Sequence, residues 1–158
     1  MRTPVTTLAL MLTLACMLCA CGGGVSAEPL LSGSVTGSYE GSAFTAVNGF
    51  ATVSNGTPVI LMGTGNLGCG SEEANSPPRG LNAAIGAPQL AVGTYENVVV
   101  QLYSNVGRFE STGSNQGTLV ITSVTDESVA GEITYSYTSD DEDTYTLMGT
   151  FEVVHCAY

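Results

Sequence analysis

This chain of 158 residues sets three basic residues, all arginine, against fourteen acidic ones, a formal charge of −11. It cannot neutralise a phosphate backbone, which excludes nucleic-acid binding, and anionic lipid headgroups repel it. Its length provides for one domain with a real core. At the N-terminus, Arg2 and the α-amino group form a positive start, and Leu8 to Cys19 is apolar apart from Thr13. A run of that length matches the hydrophobic segment of a secretory leader. It stops in Gly22-Gly23-Gly24, short of the roughly 20 apolar residues a membrane-spanning helix needs.

The leader ends in Leu18-Cys19-Ala20-Cys21. This segment resembles the lipobox of bacterial lipoproteins, with small Ala20 before the cut and Cys21 as the acylated residue. Cys16 and Cys19 fit less well, because Thr13 and Leu18 stand where the leucine and the small residue belong. The resemblance covers the first 21 residues and implies removal of 1–20 and a diacylglyceryl thioether, with fatty acyl chains such as palmitate, on Cys21. Two acyl chains suffice for stable attachment, each buried CH₂ contributing about 0.8 kcal/mol. Gly22 stands where aspartate commonly retains lipoproteins at the inner membrane, so the resemblance implies the outer membrane of the cell envelope. Removal of Arg2 leaves two arginines facing fourteen acids, a charge of −12. With Cys16 and Cys19 lost and Cys21 acylated, Cys69 and Cys156 remain as a pair, which in an oxidising compartment reads as one disulfide.

Residues 21–29 are small and read as a flexible tether, and 30–158 read as a single β domain. Ser32 to Tyr39 alternates, with Gly33, Val35, Gly37 and Tyr39 on one face. Ala43 to Val47 and Phe50 to Ser54 flank Asn48-Gly49, a strong signal for a tight hairpin. Asn55-Gly56 marks another turn, and Pro58 to Met62 reads as a strand buried on both faces. Gly63 to Gly80 carries no period and reads as a long loop pinned by Cys69. Strands follow at Leu81 to Ile85, Glu96 to Tyr103, Gly107 to Ser111 and Thr118 to Val124. Then come Val129 to Tyr137 and Tyr145 to Val153, separated by an acidic tip at Asp140 to Asp143. Gly33, Gly131 and Gly149 each open a Gly-x-apolar triplet, which predicts strands bending at glycine. No segment of the mature chain has helical period. The fold class is all-β, an antiparallel sandwich or closed barrel of about 8–10 strands with a meander in its C-terminal part.

Chemistry-bearing patterns are few. Gly63-Thr64-Gly65-Asn66-Leu67-Gly68 matches GxGxxG, but Pro77-Pro78 leaves no room for the helix that would face a pyrophosphate. The acids at 140–143 lack the ligand spacing of a calcium loop, and no cysteine–histidine spacing indicates a metal. One histidine, His155, no lysine and no free thiol leave the usual acyl-transfer sets almost empty. Glu72-Glu73 lacks the geometry of a glycosidase pair. The chain therefore reads as a non-enzymatic, membrane-anchored envelope lipoprotein with a structural or interaction role and no cofactor. The alternatives are a β-barrel that binds a small apolar ligand and, third, an unidentified hydrolase. Any partner, an envelope protein among the possibilities, is expected on the loop that holds Glu72, Glu73, Asn75 and Arg79.

Overall fold

The computed structural model describes residues 29–69, 79–106 and 108–156. The leader and Cys21 lie outside them, as do Glu72, Glu73 and Asn75. Nine strands form among the described residues: β1 (Ser32–Tyr39), β2 (Ser42–Thr45), β3 (Asn48–Ser54), β4 (Thr57–Gly63), β5 (Leu81–Gly86), β6 (Gly93–Val106), β7 (Arg108–Val124), β8 (Ser128–Thr138) and β9 (Thr144–His155). The expectation of an all-β fold holds, and of the two architectures it is the barrel that is formed.

The chain runs up and down, each strand antiparallel to the one before it wherever consecutive strands pair. Seven strands, β3 to β9, close into a mixed barrel. Closure uses a short parallel ladder, Phe50 to Val154 and Ala51 to His155. Above that ladder, β1 takes the same edge of β9 from Thr146 to Glu152, and β2 pairs with β1. β9 thus has β1, β3 and β8 as neighbours. The turns β1–β2, β6–β7 and β8–β9 share one end of the barrel, called the upper end below, with the β4–β5 connection.

Alternation decides what fills the interior. Val35, Ala51, Ile60, Ile85, Leu102, Leu119, Ile133 and Leu147, one from each strand of the wall and from β1, have no accessible surface. They belong to one contiguous cluster that also holds Tyr135, Phe151 and Val153. A void large enough for water would leave accessible area on the side chains lining it, so the middle of the barrel is solid. Burial of each large aliphatic side chain contributes about 1.5–3 kcal/mol, and this cluster is the main source of stability.

The outer surface is the opposite. Ser34 and Thr36 on β1 and Thr144, Met148 and Thr150 on β9 are exposed, with Ser38, Thr146 and Glu152 half-buried beside them. A barrel that crosses a membrane carries its apolar band outside. On β1 and β9 the apolar face is inside and the outer face is largely polar. No helix among the described residues is long and apolar enough to cross a membrane.

Several local expectations need correction. Asn48-Gly49 is not a hairpin but the start of β3, paired with Gly63 and Met62. The Asn48 amide donates to the Gly65 carbonyl at 2.7 Å, and a Cβ at Gly49 would lie 2.8 Å from the Leu61 carbonyl oxygen. Tight packing, not a turn, selects both residues. The tight hairpins are Asn55-Gly56 (φ +50° and +79°) and Glu40-Gly41 (φ +48° and +75°), each with both central residues in the left-handed region. The segments at 107–111 and 118–124 are parts of one 17-residue strand, β7. Pro58 to Met62 is buried fully on its inner face only; Val59 and Leu61 on the outer face are partly covered. Of the three Gly-x-apolar triplets, Gly33 (φ +92°) and Gly149 (φ +136°) bend in the left-handed region, whereas Gly131 does not.

Candidate functional site

Two regions stand out from the packed wall: a disulfide-clamped flap on the outer face, and the mouth at the upper end.

The flap begins where β4 ends. Asn82, 1% exposed on β5, accepts a hydrogen bond from the Gly65 amide through Oδ1 at 2.9 Å. A Cβ on Gly63 would stand 2.4 Å from that same oxygen. The glycines of the GxGxxG pattern therefore serve close approach to a buried amide, not a phosphate. Leu67 then packs with Phe50 and Cys156 in a small second core, partly covered by Leu61. The expected bridge is formed: Cys69 joins Cys156 with Cα atoms 5.5 Å apart across 87 residues of sequence. The Cys156 amide donates to the Ala51 carbonyl, which fixes the far end of the bridge to β3. Of the residues expected to carry an interaction, Arg79 alone is described. It is exposed and forms no ion pair with any described residue.

His155 does not assemble a catalytic set. Its Nδ1 lies 2.7 Å from the Thr125 carbonyl, an acceptor that places the proton on Nδ1. Its backbone amide donates to the Glu127 carbonyl. Thr125 in turn holds the β7–β8 turn through its hydroxyl, which accepts from the Glu127 and Ser128 amides. The imidazole fastens this turn to the end of β9. Among the described residues no cluster of three potential metal ligands occurs, the acids at 140–143 included.

The mouth is built from the turns of the upper end. Above Thr118, β7 no longer pairs with β8, and the Ser114 hydroxyl donates to the Tyr135 hydroxyl at 3.5 Å across the parting. The β6–β7 hairpin continues past the wall to the β1–β2 turn. Tyr39, Tyr137 and Tyr145 cluster at this end. Tyr39 and Tyr145 meet edge to face with centroids 5.4 Å apart, and Tyr137 stacks on Tyr145 at 6.1 Å. Around the Tyr39 hydroxyl, a concavity of about 300 Å³ is bounded by Glu40, Ser42, Leu81, Ser104, Val106 and Glu110. A second concavity, of about 490 Å³, is a groove over Thr36, Ser38, Ala43, Thr45, Thr146 and Met148 and carries no ionisable group.

Burial pushes the Tyr39 phenol up to about 12, helped by the negative charge of Glu40 and Glu110. Burial also pushes Tyr103 up to about 12. Tyr145 is raised by burial and then by Glu40 and the acids of the β8–β9 tip, and Tyr135 by burial. Folding therefore favours neutral phenols. That contribution is complete below the unfolded value of 10.0 and is lost as pH rises from 10 toward about 12. Melting followed by circular dichroism should give a constant Tm through neutral pH and a steep fall above about pH 10. A Tm unchanged between pH 10 and 12 would contradict the burial of these rings.

Sequence reasoning placed a site on the flap and passed over the mouth. Its residues are far apart in the chain, and only the exposed acids of the tips hinted at this end. No family model matches the chain, and neither a curated protein nor a solved structure is detectably similar to it.

Proposed function

We propose that this protein is a lipid-anchored lipoprotein of the cell envelope, held at the outer membrane through acylated Cys21, whose barrel is a rigid, non-enzymatic scaffold for interactions at its surface. The observation that carries the interaction role is the solid interior. A barrel that stores an apolar ligand encloses a cavity, and the fully buried side chains across the middle of this one favour a packed core over a storage site. The polar exterior supports a domain that stands in water beside the membrane and relies on its anchor. The leader and lipobox support the anchor, and a single bridge between Cys69 and Cys156 accords with an oxidising compartment. Cys156 lies in the small second core, while Cys69 is exposed on the segment it ties down.

Cys21→Ser tests the anchor. The variant should take up no labelled palmitate and should accumulate as precursor or as soluble protein, whereas wild type fractionates with membranes. Acyl labelling and membrane fractionation equal to wild type would overturn the lipobox reading. The same preparations, cross-linked in intact cells, test the interaction role. A discrete cross-linked species lost on shortening 71–79, with Cys69 kept and Tm unchanged, supports the flap as the contact surface.

A further inference from the structure

The point where the chain enters the barrel carries an apolar surface that wall packing does not require. Pro29 follows Cys21 by eight residues, a stretch that spans about 15 Å on average and about 27 Å when fully extended. The flank around Pro29 is therefore the part of the barrel nearest any bilayer that holds Cys21. Pro29 is exposed and bridged to Asn48. Leu30 and Ala46 pack into the core, so the residues after them, Leu31 and Val47, turn outward. They are 50% and 55% exposed. The Leu30 amide donates to the Val47 carbonyl at 3.2 Å, which holds the two stretches side by side. Charge is distributed the other way. Glu40, Glu110 and the four acids at 140–143 gather at the upper end, with Glu40 about 30 Å along β1 from Leu31, several Debye lengths at physiological salt. Asp126 and Glu127 occupy the β7–β8 turn at the opposite end. Beside Leu31, the Glu152 carboxylate accepts from the Ser32 and Ser128 hydroxyls.

We infer that the barrel lies with this flank on the lipid surface, Leu31 and Val47 entering the boundary between headgroups and acyl chains while both acidic ends stay in water. The inference rests on the proposed anchor at Cys21 and adds to it the partner of the outer face. Two aliphatic side chains do not hold a free protein on a bilayer. On a tethered barrel they need only oppose its rotation, because the anchor already supplies a high effective concentration at the surface. Aliphatic side chains gain by leaving water, whereas turning either end downward presses carboxylates against the headgroups. Hydrophobicity and charge thus select the same face, and it is the face the tether reaches.

The chain contains no tryptophan, so a single introduced one reports its own surroundings. Leu31→Trp, Val47→Trp and, as the control at the upper end, Val106→Trp are each purified from membranes as the full acylated protein. Val106 is 70% exposed. Each variant is reconstituted with phosphatidylcholine vesicles whose acyl chains are plain or brominated near the headgroup. Bromination should quench Leu31→Trp and Val47→Trp at least twofold and leave Val106→Trp unchanged. Leu31→Ser added to Val47→Trp should remove half or more of that quenching at unchanged Tm, a result that a purely structural role for Leu31 does not produce. Flotation of the same samples reports the anchor separately. Protein that floats with no quenching, or with equal quenching at all three positions, overturns the inference and leaves the anchor standing. Emission shifted to shorter wavelength without bromine quenching also overturns it, by assigning the flank to another protein or a second copy. Protein that does not float overturns both readings.

Discussion

Gly149→Ala is expected to destabilise the barrel by about 3 kcal/mol or more. Gly149 lies in β9 between Val35 of β1 and Ile133 of β8, with φ +136°. A Cβ there would sit 2.0 Å from the Ser34 carbonyl oxygen and 3.0 Å from the Val35 Cα. Both atoms belong to the backbone of a paired strand, so relief requires breaking the β1–β9 ladder. Gly41→Ala is the control. It too has positive φ, +75°, but nothing lies within 4 Å of its Cβ position, and the expected cost is only about 1 kcal/mol of backbone strain. Urea unfolding of both variants measures the contrast. A Gly149→Ala protein within about 1 kcal/mol of wild type would mean that β1 and β9 do not meet as described.

Removing the bridge has an expected effect of comparable or greater size. The bond spans 87 residues, and closing a loop of that size removes denatured-state entropy worth about 4–5 kcal/mol on the chain model. Cys69→Ala/Cys156→Ala together should lower Tm by about 10–20 °C, given roughly 3–4 °C per kcal/mol for a domain of this size. Both cysteines are changed so that no stray thiol confuses the result. The loss should exceed what the small core around Phe50 and Leu67 contributes by packing, because the double variant keeps those side chains. A drop of less than about 3 °C would show that the bridge locks the flap without constraining the unfolded chain.

The parts of this fold governed by a two-residue period were legible. Tyr135 and Tyr137 on β8, and Tyr145, Leu147, Phe151 and Val153 on β9, alternate in the sequence as they do in the barrel, because one face of each strand is dry. The end of that pattern at Gly63 located the flap, and counting thiols paired Cys69 with Cys156. Legibility failed where a strand is wet on its outer side and rich in small residues. Thr112-Gly113-Ser114-Asn115-Gln116-Gly117 falls between two expected strands, yet it is the middle of β7, held by its ladder to β6. Asn48-Gly49 carries a hairpin signature that tertiary packing overrides, while Glu40-Gly41, a true tight turn, is disguised by a glutamate. The mouth was not legible because Tyr39, Leu81, Val106 and Glu110 belong to four strands with no local pattern in common. Only the topology brings them to one rim.

The arrangement of three neighbours around β9 has a kinetic consequence. β9 is the last of the nine strands in chain order, and β1, β3 and β8 all wait for it. Contacts between residues some hundred positions apart form slowly, because loop closure must come first. Until β9 docks, the chain is an open sheet whose apolar inner face and unpaired edges invite aggregation. Cys156 directly follows β9, so the event that seals the wall is the one that brings the two sulfurs together. A one-residue slip of β9 would turn Leu147, Phe151 and Val153 outward and carry Cys156 away from Cys69. Oxidation thus acts as a latch that only the correct register can engage, and the two-residue parallel ladder at the seam need not be strong by itself.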